Sequence, residues 1–251
     1  MGRPPIFSFD HPIFDTLRPW LERGREGFSL SLLNLFSKEK DLRTESGKAI
    51  TFVAPKPANP YYEIHLFESG EVSTRPDNKH DLFNALVWLA FPKTKARINA
   101  LHAREIPREG GKRGRLRDML TIFDEGGAVV VGNEEVEALV RRGHWKELFL
   151  DSRFRIDVLG HAVLEQALDP YPGITCKVIF ARPGSDLDAR CASWLATEGQ
   201  SPRDLPPVPI MGYPGWYPGG DAADFLADRR YFRETPGSGP PARRTPLRGG
   251  A

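Results

Sequence analysis

Two histidines, each followed four residues later by a polar side chain, are the residues of this chain best suited to chemistry. The pairs are His80 with Asn84 and His161 with Glu165. Side chains at i and i+4 share one face of a helix, and histidine is the usual general base near neutral pH. Each pair also has a structural interpretation, as a hydrogen-bonded contact that fixes a half-buried helix. The sequence leaves both interpretations open.

Two aspartates form a second group of candidates. Asp118 and Asp124 flank a Met-Leu-Thr-Ile-Phe segment that is typical of a β-strand, and their even spacing predicts that both lie on one face of it. Two carboxylates together with histidines are ligands that suit a divalent cation. Asp124 and Glu125 are followed by two glycines, however, and this pattern is also typical of a hairpin turn. A divalent metal is therefore a hypothesis.

Two further polar segments have simpler interpretations. Lys95, Asn99 and His102 form a stripe along one predicted helix, and the lysine favours a solvated helix face. The segment from Arg108 to Arg117 contains five basic residues and three glycines. It could cradle a phosphate, but it matches neither a P-loop nor a dinucleotide-binding motif. We expect a mobile, solvated loop there.

A buried helix is predicted to position the first histidine. Asn78 is a suitable N-cap, and Asp81 stands three residues later, as in a capping box. The helix is apolar nearly all round from Leu82 to Phe91, so we expect it to be buried on all sides. Asn84 lies inside this apolar stretch. A buried amide without partners costs about 1–3 kcal/mol, so another element must meet it.

The remaining patterns predict a mixed α/β (α+β) fold. Helices are predicted at residues 10–24 with Asp10 as the N-cap, from residue 29, and at 133–142, 160–168 and 186–197. Strands are predicted at 49–53, 61–67, 72–75 and 176–180, with a hairpin of 119–123 and 128–131. The helices would pack on a small, largely antiparallel sheet within a single domain, and a proline-rich C-terminal segment would wrap over it. The predicted parts are an N-terminal helical segment (residues 1–46), an α+β core (47–233) and a disordered basic Pro/Gly-rich tail (234–251).

Composition limits the partners. The 251 residues include 35 Lys and Arg against 33 Asp and Glu, a net charge of +2, which indicates no strong attraction to nucleic acid. A nucleic-acid contact is conceivable only through the basic loop from Arg108 to Arg117. We expect no membrane partner, since no run approaches the ~18 apolar residues of a spanning helix and the N-terminus lacks a signal-peptide pattern. Two cysteines, Cys176 and Cys191, favour a reducing cytoplasm.

Several segments together resemble a bacterial family of unknown function, domain-of-unknown-function family 3025 (DUF3025). The most specific is the block from His80 to Lys95. The others are Tyr62-Glu63, residues 67–72, 117–125 and 145–149, Gly160-His161-Ala162 with Glu165, and residues 214–218. This chain departs from the expected pattern at Lys79, where a tryptophan is expected, and in its charged 108–115 loop. The resemblance implies a bacterial, mostly proteobacterial, protein and supplies no activity.

Three functional hypotheses follow. The first is a hydrolase-like enzyme with a polar pocket of His80, Asn84, Asp118, His161 and Glu165, in which either histidine is the general base and a divalent metal could assist. The second is a metal-dependent His/Asn nuclease with a hairpin leading into the helix that begins at His80. The third is a non-catalytic binding or scaffold protein. Convergence of the candidate residues on one solvent-reachable cleft favours an enzyme.

Overall fold

Short helices and short strands alternate along the chain, and the computed structural model describes residues 9, 11–56 and 61–234. In chain order the elements are α1 (Arg18–Arg23), α2 (Leu30–Glu39), β1 (Thr51–Val53), α3 (Tyr62–Ser69), β2 (Glu71–Ser73), α4 (Lys79–Ala90), α5 (Pro92–Glu105), α6 (Arg115–Gly126), β3 (Gly127–Val131), α7 (Glu134–Arg142), α8 (Trp145–Asp151), β4 (Arg155–Val158), α9 (His161–Gln166), β5 (Thr175–Ala181), α10 (Leu187–Leu195), β6 (Pro207–Pro209) and α11 (Ala223–Leu226). A 3₁₀ turn, Pro12–Leu17, precedes α1.

The main sheet has the strand order β4-β3-β5-β6. Strand β3 is buried at every residue, as expected for an interior strand covered on both faces. It pairs antiparallel with β4 and parallel with β5, while β5 pairs antiparallel with β6. The two short strands β1 and β2 form a separate parallel pair. Helices pack on these strands around one core, so the predicted α+β single domain with a largely antiparallel main sheet is confirmed.

The central helix pair is α4 and α5. Asn78 caps α4 by accepting a hydrogen bond from the Asp81 N–H, as the sequence predicts. Asp81 does not complete a capping box; its carboxylate accepts from the backbone N–H and the guanidinium of Arg75. Phe91 separates the two helices, and Pro92 starts α5 at the position where its missing N–H costs nothing.

The N-terminus of α5 is capped from a distant part of the chain. Asp188, in α10, accepts hydrogen bonds from the backbone N–H groups of Lys93 and Thr94, at 2.9 and 2.8 Å. The Thr94 hydroxyl donates to the same carboxylate at 2.7 Å. A carboxylate at this end satisfies exposed N–H groups and complements the helix dipole. The Asp188 cap thereby fixes α10 against α5.

The N-terminal helices belong to the same core as the rest of the domain. Phe14, in the 3₁₀ turn, is fully buried and stacks on Phe83 of α4 with ring centroids 5.5 Å apart. A helix follows Ser29 as predicted, and the Ser29 hydroxyl caps it by accepting from the Leu32 N–H. Phe36 of α2 is buried in this core. The first helical turn is capped by His11; Asp10, its predicted cap, lies outside the described residues.

Two strand predictions are wrong. Residues 61–67 lie mostly in α3, which ends at Gly70 in the left-handed conformation (φ 79°), its N–H donating to the Leu66 carbonyl. Such a terminal glycine is a helix-end signal, and the aromatic and β-branched residues before it obscured this signal. Residues 119–123 lie in α6, so the predicted hairpin with 128–131 is absent. Met119, Leu120 and Phe123 are buried at helical spacing, and Gly127 starts β3 directly.

The C-terminal region forms a strand that the sequence did not predict. Pro207, Val208 and Pro209 form β6 at the edge of the sheet, where missing proline N–H groups are tolerated. The segment then packs over the domain, with Trp216 and Phe232 buried, as the predicted wrap requires. The predicted disordered tail lies, from residue 235 onward, outside the described residues. No helix within the described part of the chain is long and apolar enough to cross a membrane.

Candidate functional site

A polar cavity of about 300 Å³ lies between helices α3, α4, α5, α6 and α9. Its volume falls at the small end of the range for ligand pockets. Asn84 and His161 line its wall, so two of the sequence candidates face the same space. We call this space the central cavity.

Helix α5 contributes a polar stripe to the central cavity. Lys95, Asn99 and His102, at 5%, 2% and 5% exposure, line it. The prediction that this stripe is a solvated helix face is wrong. Helix α3 covers the stripe. Residues 61–67 were predicted to be a strand, so no helix was expected to cover it. The signal available in the sequence was the i, i+4 and i+7 spacing of Lys95, Asn99 and His102, which places three polar side chains on one face of the helix.

An ammonium-carboxylate pair lies beside Asn84. Lys95 Nζ donates to Asn84 Oδ1 at 2.8 Å and to Asp124 Oδ1. Burial by itself raises the pKa of Asp124, but the Lys95 ammonium, joined by His161 once it is protonated in acid, outweighs this effect, so the net pKa of Asp124 lies below its ordinary value. Asp124 is therefore ionised at neutral pH, and Asn84 has the partner that its place in an apolar helix demands.

The two candidate histidines meet directly. His80 Nε2 and His161 Nε2 are 3.0 Å apart, and His80 Nδ1 lies 2.9 Å from Glu165 Oε2. On the other side, His161 Nδ1 lies 2.8 Å from the Asp124 carbonyl oxygen. The result is a hydrogen-bonded chain from Glu165 through His80 and His161 to the backbone at Asp124. We call it the His80–His161 chain.

Hydrogen-bond chemistry fixes the protons in this chain. A carbonyl oxygen only accepts, so His161 Nδ1 has its proton and donates to Asp124. Burial, opposed by the charge of Asp124, lowers the pKa of His161 to about 4, so at pH 7 its Nε2 accepts from His80 Nε2–H. One further proton must then lie between His80 Nδ1 and the Glu165 carboxylate, because two lone pairs cannot form a hydrogen bond.

The His80–His161 chain connects the cavity wall to the surface. His161 is 6% exposed, whereas the side chains of His80 and Glu165 are 35% and 40% exposed. Their placement follows from two helix starts. His80 lies in the first turn of α4, and His161 begins α9 directly after Gly160, whose N–H donates to the Gly127 carbonyl at 2.8 Å.

Asp118 is not part of this group. It lies in the first turn of α6, with a half-exposed side chain 3.1 Å from Arg113 Nε. Asp118 and Asp124 are six residues apart on a helix, which turns them to different faces. The expectation that both lie on one strand face is therefore wrong. The structure brings His80, His161 and Glu165 together, and Lys95 connects Asn84 to Asp124 by donating to both.

The far end of the central cavity is basic. Arg113 and Arg117 line it, although both belong to the segment from Arg108 to Arg117 that was expected to be a mobile, solvated loop. Arg117 donates from Nε to His102 Nδ1 at 3.2 Å and from Nη1 to Glu109 Oε2 at 2.8 Å. Burial, opposed by Asp124 and reinforced by Arg117, lowers the pKa of His102 to about 4. His102 is therefore neutral at pH 7, which suits a hydrogen bond from a guanidinium.

Helix α3 contributes Glu63, which the sequence did not identify as a candidate. Asn99 Nδ2 donates to the Glu63 carboxylate at 2.7 Å and to the Glu63 carbonyl at 2.9 Å. Burial raises the pKa of Glu63, and the Asn99 hydrogen bond opposes this effect only in part. Glu63 joins α3 to the polar stripe of α5 and completes the middle of the cavity wall.

The geometry does not favour the metal and nuclease hypotheses. Within the described residues, no group of three or more His, Cys, Asp or Glu side chains is arranged to hold a metal ion. Glu165 binds the Nδ1 side of His80, whereas His161 faces the Nε2 side, so the three donors do not converge. Among the residues that the structure describes, no hairpin of the kind that a ββα nuclease motif requires precedes His80, because β1 and β2 are parallel and α3 lies between them.

Comparison with known proteins agrees with the resemblance noted in the sequence. The model of the family DUF3025, described as a protein of unknown function, matches residues 50–236. The chain belongs to the DUF3025 family. No curated protein matches the chain, and no solved structure matches it either. The DUF3025 match includes every residue that lines the central cavity, together with His80 and Glu165.

Proposed function

We propose that this DUF3025 protein is an enzyme that performs general acid–base catalysis, and specifically hydrolysis, at the central cavity. The observation that supports this most strongly is the His80–His161 chain, which links a half-exposed carboxylate to an imidazole on the cavity wall. Hydrolysis needs a base to activate water and an acid to protonate the leaving group. Two histidines in contact can supply both.

The positions of the protons in the His80–His161 chain assign the catalytic roles of the two histidines. Neutral His161 has a basic Nε2 and is the general base. His80, when it holds the proton shared with Glu165, has an acidic Nε2–H and is the general acid. Glu165 orients His80 and connects it to solvent, so the acid can be reprotonated after each cycle. A substrate enters this arrangement by replacing the hydrogen bond between the two Nε2 atoms.

Lys95 is the candidate for electrostatic stabilisation. Its ammonium group has three N–H donors, of which Asn84 and Asp124 accept two. The third is left for an oxyanion that forms beside His161. Lys95 is buried, and a fixed, buried donor lowers the energy of such an intermediate. Asn84 and Asp124 then act as positioning residues for the ammonium.

The test is a comparison of matched variants on small chromogenic esters, amides and phosphate esters. We expect His80→Gln, His161→Gln and Glu165→Gln to lower kcat by about 10²–10⁴ while retaining the fold. Glu147→Gln is the matched control, because Glu147 contacts His144 Nδ1 at 3.3 Å outside the central cavity, and it should retain wild-type kcat.

The pH profile gives a second measurement on the same enzyme. The base form of His161 is lost as the pH falls through about 4, so kcat/KM should fall with an apparent pKa near 4. The proposal fails if the wild type converts none of these substrates, or if folded His161→Gln retains wild-type kcat. In that case the histidine pair only stabilises the contact between α4 and α9.

A further inference from the structure

The central cavity has two chemically different ends, and helices α5 and α6 set the distance between them. Lys95 contacts Asp124, and His102 contacts Arg117. The early residue of α5 thus meets the late residue of α6, and the reverse, so the helices run antiparallel. In both helices the two contact positions are seven residues apart, which at 1.5 Å per residue is about 10 Å.

The first end is the proposed reaction end, with His161, Asp124 and Lys95. The second end has two guanidinium groups, Arg113 and Arg117. Both arginines form hydrogen bonds within the protein, but these bonds do not involve all of their N–H groups. Arg117 Nε and Nη1 bind His102 and Glu109, and a guanidinium has five N–H groups. N–H groups therefore remain for an acceptor inside the cavity.

Arg113 is held in place at this end by three contacts. Its Nε lies 3.1 Å from Asp118, and its Nη2 donates to the Arg117 carbonyl and to the Thr121 hydroxyl. Nη1 takes part in none of these contacts. Two adjacent guanidinium groups with fixed orientation are the usual recognition device for carboxylate and phosphate groups.

We infer that the central cavity takes a small, elongated anionic substrate, whose carboxylate or phosphate group binds Arg113 and Arg117 while its reacting bond lies about 10 Å away beside His161 and Lys95. This inference rests on the proposed function for the reacting end only. Arg113 and Arg117 are specificity-determining residues, because they select and orient the substrate without contacting the reacting bond. The cavity volume of about 300 Å³ restricts the substrate to a small molecule and excludes a polymer inside the cavity.

Binding can be measured without turnover. Isothermal titration calorimetry would use inorganic phosphate, and separately a series of linear monocarboxylates and dicarboxylates, on the wild type and on Arg113→Gln and Arg117→Gln. We expect saturable one-to-one binding of at least one of these anions. The phosphate and carboxylate arms identify which group the site prefers. The loss of a charge-assisted hydrogen bond predicts that each variant raises Kd about 10- to 100-fold.

The control is Arg141→Gln. Arg141 forms an exposed i, i+4 pair with Glu137 on α7, away from the cavity, so its removal should leave Kd unchanged. His161→Gln should also bind the anion with wild-type Kd. If Arg117→Gln fails to fold, the half-exposed Arg113 gives the result by itself.

Failure of this inference and failure of the proposed function are distinguishable. The absence of saturable binding for every anion, or equal Kd values for the wild type and folded Arg113→Gln, overturns the anion site and leaves the acid–base proposal untouched. Normal anion binding with no effect of His161→Gln on turnover overturns the acid–base proposal and leaves the anion site intact.

Discussion

Lys95 has a buried ammonium group that forms an ion pair with one neighbouring carboxylate. Its side chain is 6% exposed, and Asp124 is the acid that compensates it. Removing one member of a buried ion pair leaves the other as an uncompensated charge, which costs about 3–5 kcal/mol. The contribution of the pair as a whole is a different and smaller quantity, because both groups lose hydration when they are buried.

Asp124→Asn should therefore lower the free energy of unfolding by about 3–5 kcal/mol, measured by urea denaturation. Asp186→Asn is the control. It removes the exposed Lys93–Asp186 pair while an asparagine still caps α10, so the change should be at most about 1 kcal/mol. Equal effects of the two substitutions would show that Lys95 is hydrated and does not need Asp124.

The sequence predicts some of this site and misses the rest for a physical reason. His80, Asn84, His161 and Glu165 were recognisable because one-turn spacing places side chains together within a single helix. Lys95, Asn99 and His102 have the same spacing, but whether a helix face is buried depends on which element covers it. That element is α3, whose identity as a helix the local residues did not reveal. Contacts between elements are not encoded in spacing along one element.

At the scale of elements, close approach of two backbones positions α9. Gly160 lies against the junction of α6 and β3, and a Cβ at this position would come within 2.5 Å of Gly127 N and 2.6 Å of the Glu125 carbonyl oxygen. These are backbone atoms, which cannot rotate away. Because Gly160 has no side chain, the start of α9 can approach this junction closely, and this approach determines the position of His161.

Gly160→Ala should destabilise the protein by about 1–3 kcal/mol or more and displace His161 from His80. Urea denaturation gives the first effect, and imidazole NMR, which reports the hydrogen-bonded Nε2 nitrogens, gives the second. Gly126→Ala is the matched control, since its Cβ would meet only Val163 Cγ2 at 3.8 Å. Unchanged stability and an unchanged histidine pair in Gly160→Ala would contradict this account.

Helix ends were the most predictable part of the fold. Asn78, Ser29, Asn133 and Asp186 each cap the helix that follows them. A cap is predictable because it is a local interaction, in which a side-chain oxygen accepts from an N–H only two or three residues later. The α6 region shows the limit. Its apolar residues fit both a strand and a helix over five positions, and only packing against β5 and α9 decides between them.

At the scale of the whole molecule, two buried neutral histidines connect stability to pH. The pKa values of His102 and His161 are lowered from 6.5 to about 4, by burial first. Below pH 6.5 the unfolded chain binds protons at these positions, whereas the folded protein does not until about pH 4. Stability is therefore lost as the pH falls through this window and is not regained by further acidification.

Each histidine should contribute up to about 3 kcal/mol to this loss. Urea denaturation at intervals between pH 7 and pH 4 measures it, and His102→Gln should show a shallower dependence than the wild type. The same slope in both proteins would mean that His102 is protonated in the folded state near its ordinary pKa.

The Asp188 cap has a consequence for how the chain folds during synthesis. The N–H groups of Lys93 and Thr94 are capped by the Asp188 carboxylate, which is synthesised 94 or more residues later. His161, which completes the cavity wall, also follows Lys95 by many residues. Contacts so distant in sequence form slowly, because a long loop must close first. A nascent chain that ends before α10 therefore has α5 without the carboxylate that caps it, and chaperone binding or aggregation should be greatest in that interval.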